Sequence, residues 1–314
     1  MHAPRRVVWL PYGSVEEAEQ RLGGIPDGLQ VDCYRADGDS WPDTVAEVEF
    51  YVLPYLKGEE VLDRIGEMSR LKVIQTLTAG VENFLPHVPD GVILCNAAGV
   101  HDASTAELAV ALALASGRHL DRYARNQPSG VWEELLIGIS LADQRVLIVG
   151  YGHIGAAIER RLAGFEVASV TRVARRPRTE PVPVHGIEKI LELLPRADVV
   201  FLVAPHTPQT EGMIGSRELA ALPDGALLVN VARGKLVDTD ALLAETSTGR
   251  VRAALDVTDP EPLPPEHPLW RTPGVLISPH VGGPSTAFFP RADRLIAAQL
   301  GRFAAGKELE NRIT

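Results

Sequence analysis

Val146-Leu147-Ile148-Val149-Gly150-Tyr151-Gly152-His153-Ile154-Gly155 is the stretch on which the fold turns. Its apolar, β-branched start reads as a buried strand, its glycines are spaced G-x-G-x-x-G, and Ala156 to Leu162 continues as a helix. In that strand, turn and helix setting each glycine has a task. Gly150 allows the tight turn, Gly152 lets a pyrophosphate approach the backbone at the helix N-terminus, and Gly155 permits close helix–strand packing. The motif therefore predicts dinucleotide binding. His153 and Ile154 lie inside the same loop at the cofactor, with His153 a solvent-facing spacer rather than a catalyst.

Outward from this turn, short β-branched runs alternate with helical patterns, which predicts parallel sheets covered by helices. Six strands are expected in the unit that holds the motif: Val146–Val149, Ala168–Val173, Val199–Val203, Leu227–Val231, Ala253–Val257 and Val275–Ser278, the count of a complete dinucleotide-binding sheet. The first third offers strands at Val7–Leu10, Phe50–Pro54, Lys72–Thr76 and Val92–Cys95, with helices at Val15–Leu22 and Glu59–Ser69. Ser104-Thr105-Ala106-Glu107 reads as a capping box that opens an apolar helix to about His119, buried between domains. Asn126 to Gly138, around Trp132, reads as a surface excursion, and Thr286 to Ala305 as an amphipathic helix that crosses back to the first unit. The expected class is α/β with two doubly wound parallel-sheet domains. A smaller flavodoxin-like substrate domain takes residues 1–103 and 284–314, and a Rossmann dinucleotide-binding domain takes 104–283.

Composition agrees with a globular chain of two domains: 314 residues, 45% apolar, 23% charged, with 28 Gly and 24 Pro. The 31 basic and 41 acidic residues leave a net charge of −10, which argues against nucleic acid and anionic membranes as partners. Cys33 and Cys95 have no neighbouring Cys or metal-spaced His, so neither a disulfide framework nor a metal site is expected. The amino-terminal stretch MHAPRRVVWLPYG holds only a short apolar run, and Leu108–Ala115 is too short to cross a bilayer. A cytoplasmic protein is the expectation.

Val167 to Thr179 reads VASVTRVARRPRT. An NAD-preferring fold places an acid about 20 residues past the glycines to hold the ribose. Here there is none, and Arg172, Arg175, Arg176 and Arg178 stand instead. Guanidinium forks suit a phosphate, so NADP is the expected cofactor, with NAD possible.

Arg233, Glu261 and His280 each follow an expected strand of the second unit, at the carboxyl-end crevice where open parallel sheets bind ligands. An arginine can hold a carboxylate and polarise a carbonyl, and a His paired with a Glu keeps a proton available near neutral pH. NVARG, ALDVTDPEP, EHPLW and SPHVGG, in that order behind VGYGHIG, resemble the D-isomer-specific 2-hydroxyacid dehydrogenase family over nearly the whole chain. The resemblance implies that Arg233 binds the substrate carboxylate and carbonyl, that His280 donates and accepts the proton, and that Glu261 orients and charges that His. It also implies Asp256 at the nicotinamide carboxamide, Val231 at the cofactor, and the amides around Ala79 and Gly80 at the substrate carboxylate.

The ARRPR run is similar to that of the glyoxylate and hydroxypyruvate reductases, which use NADP. Gly99-Val100-His101-Asp102 departs from the family, many of whose members carry Asn in that stretch. Glu261 counts against formate dehydrogenases, which carry Gln there, and the absence of an appended regulatory domain counts against the larger phosphoglycerate dehydrogenases. The implied activity is reduction of a small 2-keto acid by NAD(P)H in a homodimer, under a cleft that closes to exclude water. The rival from another class is a dinucleotide-sensing corepressor-like scaffold, which can retain the same three residues.

Overall fold

A computed structural model describes residues 5–38 and 40–314; residues 1–4, where the amino-terminal stretch begins, and 39 lie outside it. The chain divides into two units. One runs to His101 and resumes over Thr286–Thr314, and the other is Asp102–Ser285.

The first unit contains β1 (Arg6–Leu10), α1 (Val15–Leu22), β2 (Leu29–Cys33), β3 (Val48–Val52), β4 (Val73–Gln75) and β5 (Ile93–Cys95). The strands are parallel in the order β2-β1-β3-β4-β5, the flavodoxin-like arrangement. Alternate side chains feed two cores, Val8, Leu10, Phe50 and Val52 on one face and Val7, Trp9, Tyr51 and Leu53 on the other. Every position of β3 is buried, Glu49 included. Its carboxylate accepts from Arg6, Arg70 and Lys72 at 3.1, 2.7 and 2.8 Å, which is what lets a charge stand in a core strand. Ser14 caps α1 by accepting from the Glu17 amide, and Gly23 ends it in the left-handed region.

Two expectations fail in this unit. β2 was not foreseen, because only Leu29 of its five residues is buried and an edge strand of that kind shows no alternation. The helix expected over Glu59–Ser69 is instead two 3-10 turns, Glu59–Leu62 and Ile65–Glu67. Gly66 interrupts the segment and only Val61 and Leu62 of these turns are buried, so no apolar stripe exists for a long helix to bury.

The second unit contains α2 (Asp102–Gly117), α3 (Leu120–Asn126), β6 (Arg145–Val149), α4 (His153–Leu162), β7 (Ser169–Ala174) and β8 (His185–Gly186). It continues with α5 (Ile190–Leu193), β9 (Val199–Leu202), α6 (Ser216–Ala221), β10 (Leu227–Asn230), α7 (Thr239–Ser247), β11 (Arg252–Leu255) and β12 (Val275–Ile277). The closing helix α8 (Phe288–Ala304) lies in the first unit, where Phe288, Ile296 and Leu300 join the core under β1 and β3. The second sheet is parallel in the order β12-β11-β10-β9-β6-β7-β8. It has seven strands rather than six, since β8 is only two residues long and leaves no periodic trace. Strand order reverses at β6, flanked by β7 and β9, which is the switch point where a ligand binds beyond the carboxyl ends.

α2 begins two residues before Ser104, so the expected capping box does not form; Ser104 Oγ donates instead to the Gly283 carbonyl at 3.2 Å. The apolar side chains of α2 find their burial in this unit's own core, Ala109, Val110 and Leu112 packing with Ile158, Val229 and Ala254. The excursion around Trp132 carries neither helix nor strand over 131–140 and leaves Trp132, Leu135 and Ile137 more than nine-tenths exposed.

Candidate active site

The three glycines of the turn behind β6 are glycines for three reasons. Gly150 has φ +100°, and a Cβ there would lie 2.3 Å from the Ala204 amide nitrogen behind β9, so the switch point closes only on a bare backbone. Gly155 packs so that a Cβ would meet Ile148 at 3.1 Å and the Gly150 carbonyl at 3.2 Å. At Gly152 a Cβ would meet no protein atom nearer than 4.0 Å. Its missing side chain serves nothing within the protein, and the open face lies at the N-terminus of the ten-residue helix α4. That combination fits a dinucleotide pyrophosphate. His153 is 79% exposed at its side chain, with Nδ1 3.5 Å from Asp102. Ile154 is half-buried, and Val231 is buried behind β10.

The four arginines separate. Arg172 lies within β7, and its guanidinium is tied to the Glu159 carboxylate on α4, with Nε donating at 2.8 Å and Nη2 also bonded. Glu159 is held below the ordinary carboxylate range, first by that bond. Arg172 is therefore already charge-neutralised. Arg175 and Arg176 are exposed just past the end of β7, and Arg178 donates to the Tyr151 carbonyl at 3.3 Å beside the glycine turn.

Past β10, buried Asn230 shapes the turn that presents Arg233: Oδ1 accepts from the Ala232 amide at 3.1 Å and Nδ2 donates to the Arg233 carbonyl at 3.0 Å. A Cβ on Gly234 would fall 1.9 Å from the Thr258 carbonyl oxygen, so the Arg233 turn presses directly on the loop that leads to Glu261. His280 Nδ1 stands 2.5 Å from Glu261 Oε1. The His280 backbone has φ +53°, a strained choice for a residue with a Cβ, and its amide is held by the carbonyls of Asp256 at 2.8 Å and Ser278 at 3.1 Å.

Asp256, 2% exposed, holds the rest of this loop. Oδ1 accepts from Ser278 Oγ at 2.6 Å and from the Val281 amide at 2.9 Å, and Oδ2 from the Gly282 amide at 2.8 Å. The carboxylate thus grips the residues on both sides of His280.

Charges follow the geometry. The hydrogen bond to Glu261 raises the His280 pKa above its ordinary value most strongly; partial burial and the Arg233 charge oppose it, and the charges of Glu261 and Asp256 add to it. Glu261 is lowered, first by the same bond. The result is an imidazolium–carboxylate couple in the field of a guanidinium. It can give a proton to a carbonyl oxygen and steady the charge left there.

In the first unit, Ala79 and Gly80 lie on the loop after β4. Every carbonyl from Thr76 to Gly80 is claimed by a donor of the same unit. Thr76 O accepts from Gln75 Nε2 at 2.9 Å, Leu77 O from His101 Nε2 at 2.8 Å, and Thr78 O from Thr76 Oγ1 at 3.0 Å and the Ala97 amide at 2.9 Å. Ala79 O accepts from Asn96 Nδ2 and Gly80 O from Thr78 Oγ1, both at 2.7 Å. Among the described residues none accepts from the Thr78, Ala79 or Gly80 amides. With its oxygens turned to internal donors, the loop offers N–H groups, which suits an anion.

Sequence reading missed Glu159, Ser278, Asn96 and the clamp by Asp256. Ser278, two residues before His280, carried a faint signal; the others act across long separations that no local pattern records.

Residues 110–282 match the family described as D-isomer specific 2-hydroxyacid dehydrogenase, NAD binding domain. The chain is 30% identical to a D-3-phosphoglycerate dehydrogenase of Archaeoglobus fulgidus over 295 residues, 91% of this chain and 55% of that protein. It thus spans about half the length of that relative. It is 34% identical to human glyoxylate reductase/hydroxypyruvate reductase over 233 residues, 71% of this chain and 70% of that one. A crystal structure of a D-isomer specific 2-hydroxyacid dehydrogenase from Xanthobacter autotrophicus Py2 in complex with NADPH and MES aligns over 99% of this chain and 98% of that one, at 29% identity and TM-score 0.79. With more than half of its length matching one family over the unit that holds the glycine turn and the His280–Glu261 pair, the chain belongs to the D-isomer specific 2-hydroxyacid dehydrogenases.

Proposed function

We propose that this protein reduces a short 2-keto acid to the D-2-hydroxy acid, with glyoxylate or hydroxypyruvate as first candidates and NADPH as the preferred cofactor. The observation that carries the reading is the His280–Glu261 pair at 2.5 Å, in the field of Arg233 and in the unit that holds the glycine turn. Bound at that turn, the dinucleotide supplies the hydride to the keto carbon. Protonated His280 gives the hydroxyl proton from Nε2, while Glu261 holds Nδ1 and the positive charge. Arg233 takes the substrate carboxylate and stabilises charge on the keto oxygen. The amides around Ala79 and Gly80, which the family resemblance implies at a carboxylate, are an anion subsite of the first unit in this reading. Asp256 keeps His280 in place, in addition to any contact with the nicotinamide side.

Preference for NADPH rests on Arg175 and Arg176, exposed past β7 in a stretch without an acid between Val167 and Thr179. Arg172, expected at the cofactor, carries less of this reading because its guanidinium is paired with Glu159. A homodimer is supported by Trp132, Leu135 and Ile137, whose exposure exceeds what a monomer's surface ordinarily tolerates in one segment. We place the protein in the cytoplasm, in keeping with two free thiols; among the described residues no helix is long and apolar enough to cross a membrane.

The test is a panel of 2-keto acids with NADPH and NADH, beside Arg233→Ala. Turnover in the wild type, lost in Arg233→Ala, is expected; no turnover above that control overturns the reductase in favour of a cofactor-sensing scaffold. In an Arg175→Ala, Arg176→Ala double variant NADPH binding should weaken about tenfold or more, as expected for lost charge–phosphate bonds, with NADH unchanged. Equal losses for both cofactors would remove the NADPH preference.

A further inference from the structure

The chain leaves the first unit at His101 and re-enters it at Thr286. Close to these two crossings stand His101 and Phe288, whose rings stack at 5.3 Å with an interplanar angle of 10°. Tyr55, on the loop after β3, completes the stack at 3.8 Å from Phe288 and 5.6 Å from His101. His101 is 8% exposed and Phe288 3%. From this fixed position His101 Nε2 reaches the Leu77 carbonyl at 2.8 Å. A carbonyl only accepts, so Nε2 carries the proton in either charge state of the ring.

Of the donors that hold the Thr76–Gly80 loop, this one differs in kind. The others come from within the loop or from the strand ends beside it, Gln75, Thr76, Thr78, Asn96 and Ala97. His101 alone ties the loop to a residue where the chain changes units. We propose that His101 is a positioning residue for substrate binding: its Nε2–H, aimed by the Tyr55–Phe288 stack, sets the Leu77–Gly80 backbone so that the amides of Thr78, Ala79 and Gly80 present one anion subsite. The proposal rests on the reductase reading for the identity of that anion as a 2-keto acid carboxylate. It assigns a role to the position where this chain carries His in the stretch Gly99-Val100-His101-Asp102.

Two variants separate the ring from the donor. His101→Phe keeps an aromatic ring for the stack and removes the donor, leaving a buried carbonyl unpaired; His101→Gln offers a donor without the ring. His101→Phe should raise KM for the keto acid about five- to tenfold, the scale of one buried hydrogen bond, with kcat and the NADPH dissociation constant near wild type. Hydrogen exchange of the Ala97 amide, which donates to the Thr78 carbonyl at 2.9 Å, should quicken, and His101→Gln should recover part of both effects. Unchanged KM and unchanged exchange in His101→Phe would overturn the proposal. So would a KM rise matched by equal losses in kcat, NADPH binding and thermal stability, which marks general damage. If the wild type turns over no keto acid, the reductase reading fails by itself. Exchange of the Ala97 amide in His101→Phe then still decides whether His101 holds the loop.

Discussion

Two loops, one in each unit, hold functional backbone by opposite means. The loop Ser278–Gly282 gathers most of its side-chain bonds on one buried carboxylate: Asp256 receives Ser278 Oγ and the amides of Val281 and Gly282, while Thr105 Oγ1 adds one bond to the Gly282 carbonyl at 3.2 Å. The loop Thr76–Gly80 is held by separate donors, at least one for each carbonyl. The first carries a charged residue in a strained conformation, His280 at φ +53°, and a strained residue persists only where its surroundings over-determine it. The second offers backbone amides, for which small errors in each peptide plane cost little. The contrast teaches where the molecule is brittle: a concentrated anchor fails all at once, a distributed one by degrees.

The largest effect should come from the residue that the concentrated anchor serves. His280→Ala should lower kcat for keto-acid reduction by about 10²- to 10⁴-fold, the range for a removed general acid, with NADPH affinity retained in a fluorescence titration. Steady-state kinetics that retain a tenth of wild-type turnover would break the assignment.

Next stands the anchor itself. Asp256→Asn leaves one acceptor oxygen and sets an NH2 group against an amide that was a donor. It should cost about a hundredfold in kcat, equivalent to about two charge-assisted bonds of 1.5 kcal/mol each, and should lower Tm. If Asp256→Asn behaves as a surface substitution in both kinetics and calorimetry, the loop is not held as concentratedly as its bonds suggest.

Glu261→Gln acts on charge rather than on place, and its signature is a pH shift. Reduction needs the imidazolium, so kcat/KM falls as pH rises through the His280 pKa of the free enzyme. That pKa is raised chiefly by the bond to Glu261. Gln keeps the shape and loses the charge, so the high-pH limb should move to lower pH, while the low-pH plateau changes much less. An unmoved limb, with chemistry shown to limit the rate, would separate Glu261 from the proton affinity of His280.

The same contrast explains what could be read from sequence. The glycine turn, Arg233, Glu261 and His280 were legible because each sits in a short ordered motif, and the parallel strands announced themselves by runs buried on both faces, as in β6 and β9. β2 and β8 were not, the one a half-exposed edge and the other two residues long. The Arg172–Glu159 pair was hidden because Glu159 lies a helix away from an arginine run that looked uniform. The donors to the Thr76–Gly80 carbonyls include Asn96 and His101, 17 and 24 residues from the carbonyls they meet. Backbone acceptors carry no sequence letter, so a distributed anchor leaves no motif to find.

The smallest effect tests the distributed side. Asn96→Ala removes the Nδ2 donor from the Ala79 carbonyl, a solvent-exposed bond of 2.7 Å. Water can reach that carbonyl and take the vacated place, whereas no water replaces the bond His101 makes in its buried stack. A net neutral hydrogen bond is worth about 0.5 to 1.5 kcal/mol, and with water substituting the low end applies, about a threefold rise in KM for the keto acid. The Ala98 amide, which Asn96 Oδ1 also accepts at 3.1 Å, is exposed as well and rehydrates in the same way. kcat and Tm should stay near wild type, since Ser278–Gly282 and its anchor are untouched. A loss in kcat as deep as that of Asp256→Asn would show that this loop too fails all at once, and the distinction between the two anchors would be lost.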